Sequence, residues 1–458
     1  MSPGPRSTVT AGIDIGTTSV KAVAVDEDGV VLARSRVPHE ILVPGPELME
    51  HDADRAWRRG PKRALAALGS FDVKAVGIAA MVPSMTAVDR RGRPLTPGLL
   101  YGDARGRSPG GTERVGSAGP EGSGEAVGFL RWTSVAAPDA AGYWHAQAVA
   151  TKAFGGPPAV DFGVAFTSSP LYGPAGWDES ICGSLGVDPA RLPRVELPGA
   201  AVGRMGRDGP VLAAGAVDVW CEQLVAGASE AGDVHVICGT SLIVWAVVPK
   251  PVSAPGLWCV GSAKGGHIVG GASNAGGLFL DWASRLMGGS AGRKQSERSG
   301  QLDPANIPVW APYPRGERTP YHDPRMRASL HGLNLTHGPA AVRRAAWEAS
   351  GFVVRHHLEL AGVKGKRLVL TGGGTKVPGW VQALADVTGL PAHVAADPEG
   401  AARGAAFLGR VAAGLEAGGE DAERWARTGR VVEPDPRWAF EADTRYAMFL
   451  EHSGRLGR

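Results

Sequence analysis

The stretch VTAGIDIGTTSVKAVAV, residues 9–25, sets a mainly apolar run against a carboxylate and a glycine-threonine turn. Val9 to Ile15 reads as a buried strand, Gly16-Thr17-Thr18 interrupts it, and Val20 to Val25 alternates as a second strand. Asp28-Gly29 supplies the next turn and Val30 to Val37 a third strand. The same skeleton returns at residues 233–248, DVHVICGTSLIVWAVV: strand, Gly-Thr-Ser turn, strand. A chain built from two such halves would put two glycine turns on opposite walls of one cleft.

Other elements follow outward from these hairpins. Asp52 or Asp54 can cap a helix to about Leu68, with Trp57 and Leu65 inward, and Ala75–Ala80 reads as a strand. Residues 104–128 are so rich in Gly, Ser and Pro that they read as a mobile loop. Pro210–Ala214 reads as a strand, Gly215–Val217 as a turn, and Asp218 opens a helix to about Ala228. In the second half, helices are expected near Gly277–Met287 and over Pro339–Leu360. The latter places Val342, Ala345, Ala349, Phe352 and Val353 on one face. A strand at Leu368–Leu370 leads into Gly372-Gly373-Gly374, followed by helices over about 378–388 and 398–414. After residue 415 the chain is polar, with Trp438, Phe440, Tyr446 and Phe449 available to dock it. Two domains are expected, residues 1–230 and 231–458.

Composition excludes several classes. With 67 Gly and 35 Pro in 458 residues the chain approaches the range of low complexity, yet 43% apolar content supports a packed core. The 48 basic and 45 acidic residues are interspersed, and no Lys/Arg run could track a phosphate backbone, so no nucleic-acid partner is expected. Cys182, Cys221, Cys238 and Cys259 have no metal-ligand spacing and read as buried thiols. No apolar stretch approaches about 18 residues and the N-terminus has no apolar signal core; a cytoplasmic protein without membrane contact is expected.

Asp14 stands at a strand end beside Gly16-Thr17-Thr18. Amides and hydroxyls of such a turn can face phosphate oxygens, and the acid can hold a hydrated cation. An ordinary hairpin is the alternative, and the second copy at Gly239-Thr240-Ser241 favours the phosphate reading of both. Gly372-Gly373-Gly374 lets backbone approach a flat ligand, or is a flexible strand-to-helix loop; neither a Walker A nor a dinucleotide fingerprint fits it. Asp218, opening a helix, can be a rigidly held general base, a helix cap, or both. His356-His357 diverge on a helix and suit no shared metal, and the 13 tryptophans read as packing.

These residues resemble the FGGY carbohydrate kinases, the family containing xylulokinases and glycerol kinases. GIDIGTTSVKA looks like the family's first phosphate segment, LAAGAVDVWCEQLVAG (212–227) its GxxD helix, and ICGTSLIVW (237–245) its second phosphate segment. YPRGERTPYHDPRMRASLHGLNLTH (313–337), TGGGTKVPGWVQALADVTGLP (371–391) and EGAARGAAFLG (399–409) are similar to later family segments, in the family's order. The resemblance implies an α/β, actin-like ATPase (ribonuclease H-like) fold of two related domains flanking a cleft. It implies transfer of the γ-phosphate of ATP, with Mg²⁺, to a hydroxyl, primary in the usual case, of a small sugar, ketose or polyol. By the same resemblance, Asp218 is the base and Asp14 organises Mg²⁺. Thr17, Thr18, Gly239 and Thr240 line the phosphates, and Gly277, Gly373 and Gly374 lie against the nucleotide. Val82, Pro83, Asp103 and Arg105 fall on the sugar side. Val82 and Pro83 offer no side-chain hydrogen bond where xylulokinases have Met-His, and Val219 follows the base where Asn is common; both departures point away from D-xylulose. Val377 replaces a small polar residue in the adenosine segment. An ATP-binding regulatory protein of the same fold, without kinase activity, is the alternative reading. The oligomeric state is open, a homodimer among the options.

Overall fold

The computed structural model describes residues 8–45, 47–106, 125–262, 266–288, 302–323 and 325–455. The chain forms two α/β units. One comprises the described residues up to Val225 together with Glu399–Trp425; the other comprises Ala226–Pro398 and the described residues from Ala426.

In the first unit the apolar runs form a seven-stranded sheet. Val9–Ile15 lies at its middle, antiparallel to Ser19–Val25 and parallel to Val73–Ala80. Val31–Pro38 extends one side, Val211–Ala213 and Ala201–Arg204 the other. Residues 216–217, expected as a turn, instead pair in parallel with the end of Val73–Ala80, Val217 opposite Ala80. That short pairing fixes where the helix Asp218–Ala226 begins.

The second unit repeats the core of this plan, with one strand more on the hairpin side and, among the described residues, no counterpart of the Ala216–Val217 pairing. Asp233–Cys238 is the middle strand, antiparallel to Leu242–Val248 and parallel to Arg367–Thr371. His267–Ser273 and Trp258–Gly261 extend one side, Ala392–Ala395 and the antiparallel Thr428–Val432 the other. Helices Pro339–Leu360, Pro378–Thr388 and Pro436–Arg455 belong to this unit. A buried ion network joins them: Arg344 to Glu348 and Asp386, and Arg445 to Glu348. Trp438, Tyr446 and Phe449 dock the last helix as expected, whereas Phe440 is left exposed.

Two expectations need revision. A split into contiguous halves at 230/231 does not describe the units, because the helix Gly400–Ala412 belongs to the first. Its small side chains let it lie directly on the central sheet, where a Cβ at Gly12 or Gly77 would collide with the carbonyls of Ala402 and Ala405. Of the loop expected at 104–128, residues 107–124 lie outside the described residues, and Glu125 opens the helix Glu125–Ala136. Among the described residues, no helix is long and apolar enough to cross a membrane.

The helix-on-sheet contact yields a direct test. Gly12→Val should lower the thermal midpoint of the purified protein sharply, since backbone carbonyls cannot yield and overpacking costs about 1–3 kcal/mol or more. Gly183→Ala, where a Cβ meets nothing, should leave the midpoint within a degree or two.

Candidate active site

The first unit gathers its chemistry at the ends of three neighbouring strands. Asp14, 5% exposed, sits opposite Lys21 across the opening hairpin, and Lys21 Nζ donates to Asp14 Oδ2 at 3.0 Å. Asp14 pairs on its other side with Ala79, one residue before Ala80, whose partner Val217 precedes Asp218. The two carboxylates thus flank the end of one strand. Burial, and next the charge of Asp14, push the Asp218 carboxyl up to about 7; the Val219 amide, which donates to Oδ1 at 2.7 Å, and Lys21 oppose the rise. Asp14 in turn pushes the Lys21 ammonium further up.

Gln147 braces this arrangement. Fully buried, it donates through Nε2 to Ala80 O at 3.0 Å and Ala216 O at 3.1 Å. It therefore ties together the two strand ends that lead to Val82-Pro83 and to Asp218.

The turn beside Asp14 is held from outside. Gly16 N donates to Ser19 O at 3.1 Å, and His39 N to Thr18 O at 3.1 Å. Trp57 Nε1 donates to His51 Nδ1 at 3.0 Å, which leaves His51 Nε2 to donate to Thr17 O at 2.7 Å. Burial, and then His39, pull His51 down to about 4, so the ring is neutral at physiological pH. Thr17 Oγ1 bonds the Tyr101 hydroxyl at 3.0 Å. The turn's carbonyls are thus occupied, while the amides of Thr17 and Thr18 make no hydrogen bond among the described residues. Such outward amides form an anion-binding concavity.

Asp103 and Arg105 come together as an ion pair. Asp103, fully buried, accepts from Met49 N, Arg105 N, Arg105 Nε and Arg105 Nη2. Arg105 also reaches Glu50 at 2.6 Å and lies over the Trp132 ring. Asp103 is thereby spent on holding Arg105. Glu50 and His51 are consecutive, so one short strand, Glu50–His51, links this pair to the Thr17 turn.

The second unit repeats the turn with different bracing. Gly239 N donates to Ser241 O at 3.1 Å; Gly277 N donates to Gly239 O at 2.9 Å and Leu278 N to Thr240 O at 3.1 Å. Gly277 is therefore committed to the turn through its amide. The amides of Thr240 and Ser241 make no hydrogen bond among the described residues. Gly372–Gly374 lies beside this turn, since a Cβ at Gly372 or Gly374 would press on the Cys238 carbonyl. Gly373 opens a short 3₁₀ turn, Gly373–Lys376, at a point where an added Cβ would meet nothing, and Val377 is exposed.

Sequence reading missed Gln147 and His51, and read Trp57 only as an inward packing residue. Lys21 was legible in principle: a hairpin closing at Ile15 and Val20 must face residue 14 with residue 21. Gln147 carries no local signal, because its partners Ala80 and Ala216 are remote in the chain.

Residues 9–109 match the FGGY family of carbohydrate kinases, N-terminal domain, and residues 234–413 its C-terminal domain. The chain is 28% identical over 443 residues to a xylulose kinase of Escherichia coli, covering 88% of this chain and 90% of that one. It is 25% identical over 463 residues to a gluconokinase of Bacillus subtilis, covering 88% and 87%. Among solved structures it is similar to the xylulose kinase of Rhodospirillum rubrum, with TM-score 0.77, 24% identity and 98% and 99% coverage. The gluconate kinase of Lactobacillus acidophilus gives TM-score 0.81, 19% identity and 98% of each chain. These likenesses show the fold.

The raised Asp218 predicts a pH-dependent cost. A carboxyl whose folded pKa lies above its unfolded value destabilises progressively as pH rises from about 4 to about 7, and the penalty is complete above that. Asp218→Asn should match wild type in thermal midpoint near pH 4 and exceed it by a growing margin up to pH 7–8. A constant difference across that range would refute the raised value.

Proposed function

The chain belongs to the FGGY family of carbohydrate kinases, and on that premise we propose which of its residues carry phosphoryl transfer from ATP to a sugar hydroxyl. Such transfer needs positioning, charge neutralisation and a base for the attacking hydroxyl. The observation that carries the reading is the pair Asp14–Asp218: a buried and a half-buried acid at adjoining strand ends, with the Asp218 carboxyl pushed up by its surroundings. A base with a pKa near the working pH accepts the hydroxyl proton most effectively. Asp218 is assigned that role.

The paired turns are assigned to the phosphates: Thr17 and Thr18 in the first unit, Gly239, Thr240 and Ser241 in the second. Gly373 and Gly374 are assigned to the nucleotide beside them, with Gly277 acting through the turn that it fixes. Among the described residues no cluster of three His, Cys, Asp or Glu side chains could cage a metal. One carboxylate with phosphate oxygens is nonetheless a donor set that suits Mg²⁺, and Asp14, its charge half-answered by Lys21, fits it. The ion would supply charge neutralisation on the phosphates. Lys21 holds Asp14 in place, and Gln147 holds the strand end from which Asp218 projects.

On the sugar side we assign Val82, Pro83 and Arg105, with Asp103 holding Arg105. Because Val82 and Pro83 bring no side-chain hydrogen bond, the acceptor is a small sugar, ketose or polyol other than D-xylulose, phosphorylated on a primary hydroxyl. An unpaired sugar hydroxyl there costs about 1–3 kcal/mol. Family membership supports transfer over a regulatory protein without kinase activity.

A coupled ADP-release screen over pentuloses, hexuloses, tetritols, pentitols, glycerol and gluconate tests this reading. One small sugar, ketose or polyol should exceed D-xylulose in kcat/KM by at least about tenfold. With that acceptor, Asp218→Asn should lower kcat about 10²–10⁴-fold while ATP binding persists. Full activity of Asp218→Asn would overturn the assignment of the base.

A further inference from the structure

The second phosphate turn has a charge problem. No Lys or Arg occurs from Asp233 to Pro249, which contains the turn, nor from Gly266 to Ser284, which contains the strand and helix that brace it. A triphosphate carries several negative charges, and amides and hydroxyls alone neutralise them poorly. Beyond what a bound Mg²⁺ would supply, any side-chain cation at this turn comes from elsewhere in the chain.

The stretch around Glu317 brings one. Glu317, 3% exposed, accepts from Ser273 Oγ at 2.6 Å, Asn274 N at 2.8 Å and Arg318 N at 2.6 Å. On the other side, Thr319 N and Oγ1 both donate to Ala272 O, at 3.2 and 2.9 Å, and Thr319 Oγ1 bonds His357 Nε2 at 3.0 Å. The backbone on both sides of Arg318 is thus clamped to the end of the strand His267–Ser273. From this clamp Arg318 Nη2 donates to Ser241 Oγ at 2.7 Å and to Ser273 O at 3.2 Å.

Ser241 closes the turn, and the turn's carbonyls of Gly239 and Thr240 already accept from Gly277 and Leu278. The guanidinium therefore stands at a turn whose outward groups are donors. A rigid guanidinium suits phosphate oxygens, and one held by backbone clamps on either side loses little freedom on binding. A surface salt bridge or a packing arginine would not need a buried carboxylate spent on its own backbone amide.

We propose that Arg318 is the cation of the second phosphate turn, binding the terminal phosphates of ATP jointly with Ser241 and the amides of Thr240 and Ser241. The inference rests on the reading that the nucleotide is held by the second unit.

Calorimetric titration of the full chain with adenosine, AMP, ADP and ATP separates the possibilities. Arg318→Met should weaken ADP and ATP about 10- to 100-fold while adenosine and AMP stay within about twofold of wild type. Arg318→Lys should fall between, and Ser241→Ala should weaken ADP and ATP about 3- to 10-fold. Unfolding midpoints without nucleotide are taken for each variant; should Arg318→Met not fold, Arg318→Lys and Ser241→Ala carry the test. Equal loss across all four ligands would show a packing role and overturn the proposal, as would unchanged ATP affinity. If wild type itself bound no adenine nucleotide, the reading of the second unit would fall first, which is a separate result.

Discussion

Two carboxylates stand at the ends of adjoining strands, the charge of one raising the proton affinity of the other, and much of the first unit is arranged around them. Asp14 and Asp218 are brought to flank one strand by the parallel pairing of Val73–Ala80 with Val9–Ile15 on one side and with Ala216–Val217 on the other. Their repulsion adds to burial in lifting Asp218, and Lys21 answers part of it from across the hairpin. The two-residue pairing that leads into Asp218 is too short to hold itself, and Gln147 completes it by bonding both strand ends. A buried amide spent on two carbonyls is expensive to lose, so the position of Asp218 is rigid. Rigidity and raised proton affinity are what a general base requires.

The repeated plan explains why one short sequence skeleton serves twice. In each unit a glycine turn follows the middle strand, its carbonyls are tied down from behind, and the next two amides are left outward. The bracing differs. In the first unit, neutral His51 and the His39 amide do it, with Trp57 fixing the tautomer. In the second, the amides at the start of the helix Gly277–Leu286 do it, and Arg318 holds the closing serine. The first turn has acids and a lysine beside it, whereas the second has Arg318, from a distant stretch, bonded to its closing serine.

The hairpins, the long helix Pro339–Leu360 and the helix opened by Asp218 were legible because local pattern and tertiary burial agree there. The strand at 216–217 was not: Gly215 reads as a turn, and only pairing with a strand some 135 residues earlier makes the following two residues extended. The return of Gly400–Ala412 to the first unit was equally hidden, since its signal is the absence of side chains at Gly12 and Gly77, hundreds of residues away. Asp103 and Arg105 were found as a pair through resemblance, but not that the aspartate is consumed in holding the arginine. Residues that act through one partner in another segment, such as Gln147, His51 and Arg318, leave no periodicity to read.

The assignment of Asp218 as the base is tested most directly by the pH dependence of kcat/KM for the best acceptor. Wild type should lose rate tenfold per pH unit below an inflection that lies between the ordinary carboxylate value of about 4 and the raised value of about 7. The residual activity of Asp218→Asn should show no such limb. An identical acidic limb in Asp218→Asn would assign the titrating group elsewhere and contradict the role proposed for Asp218.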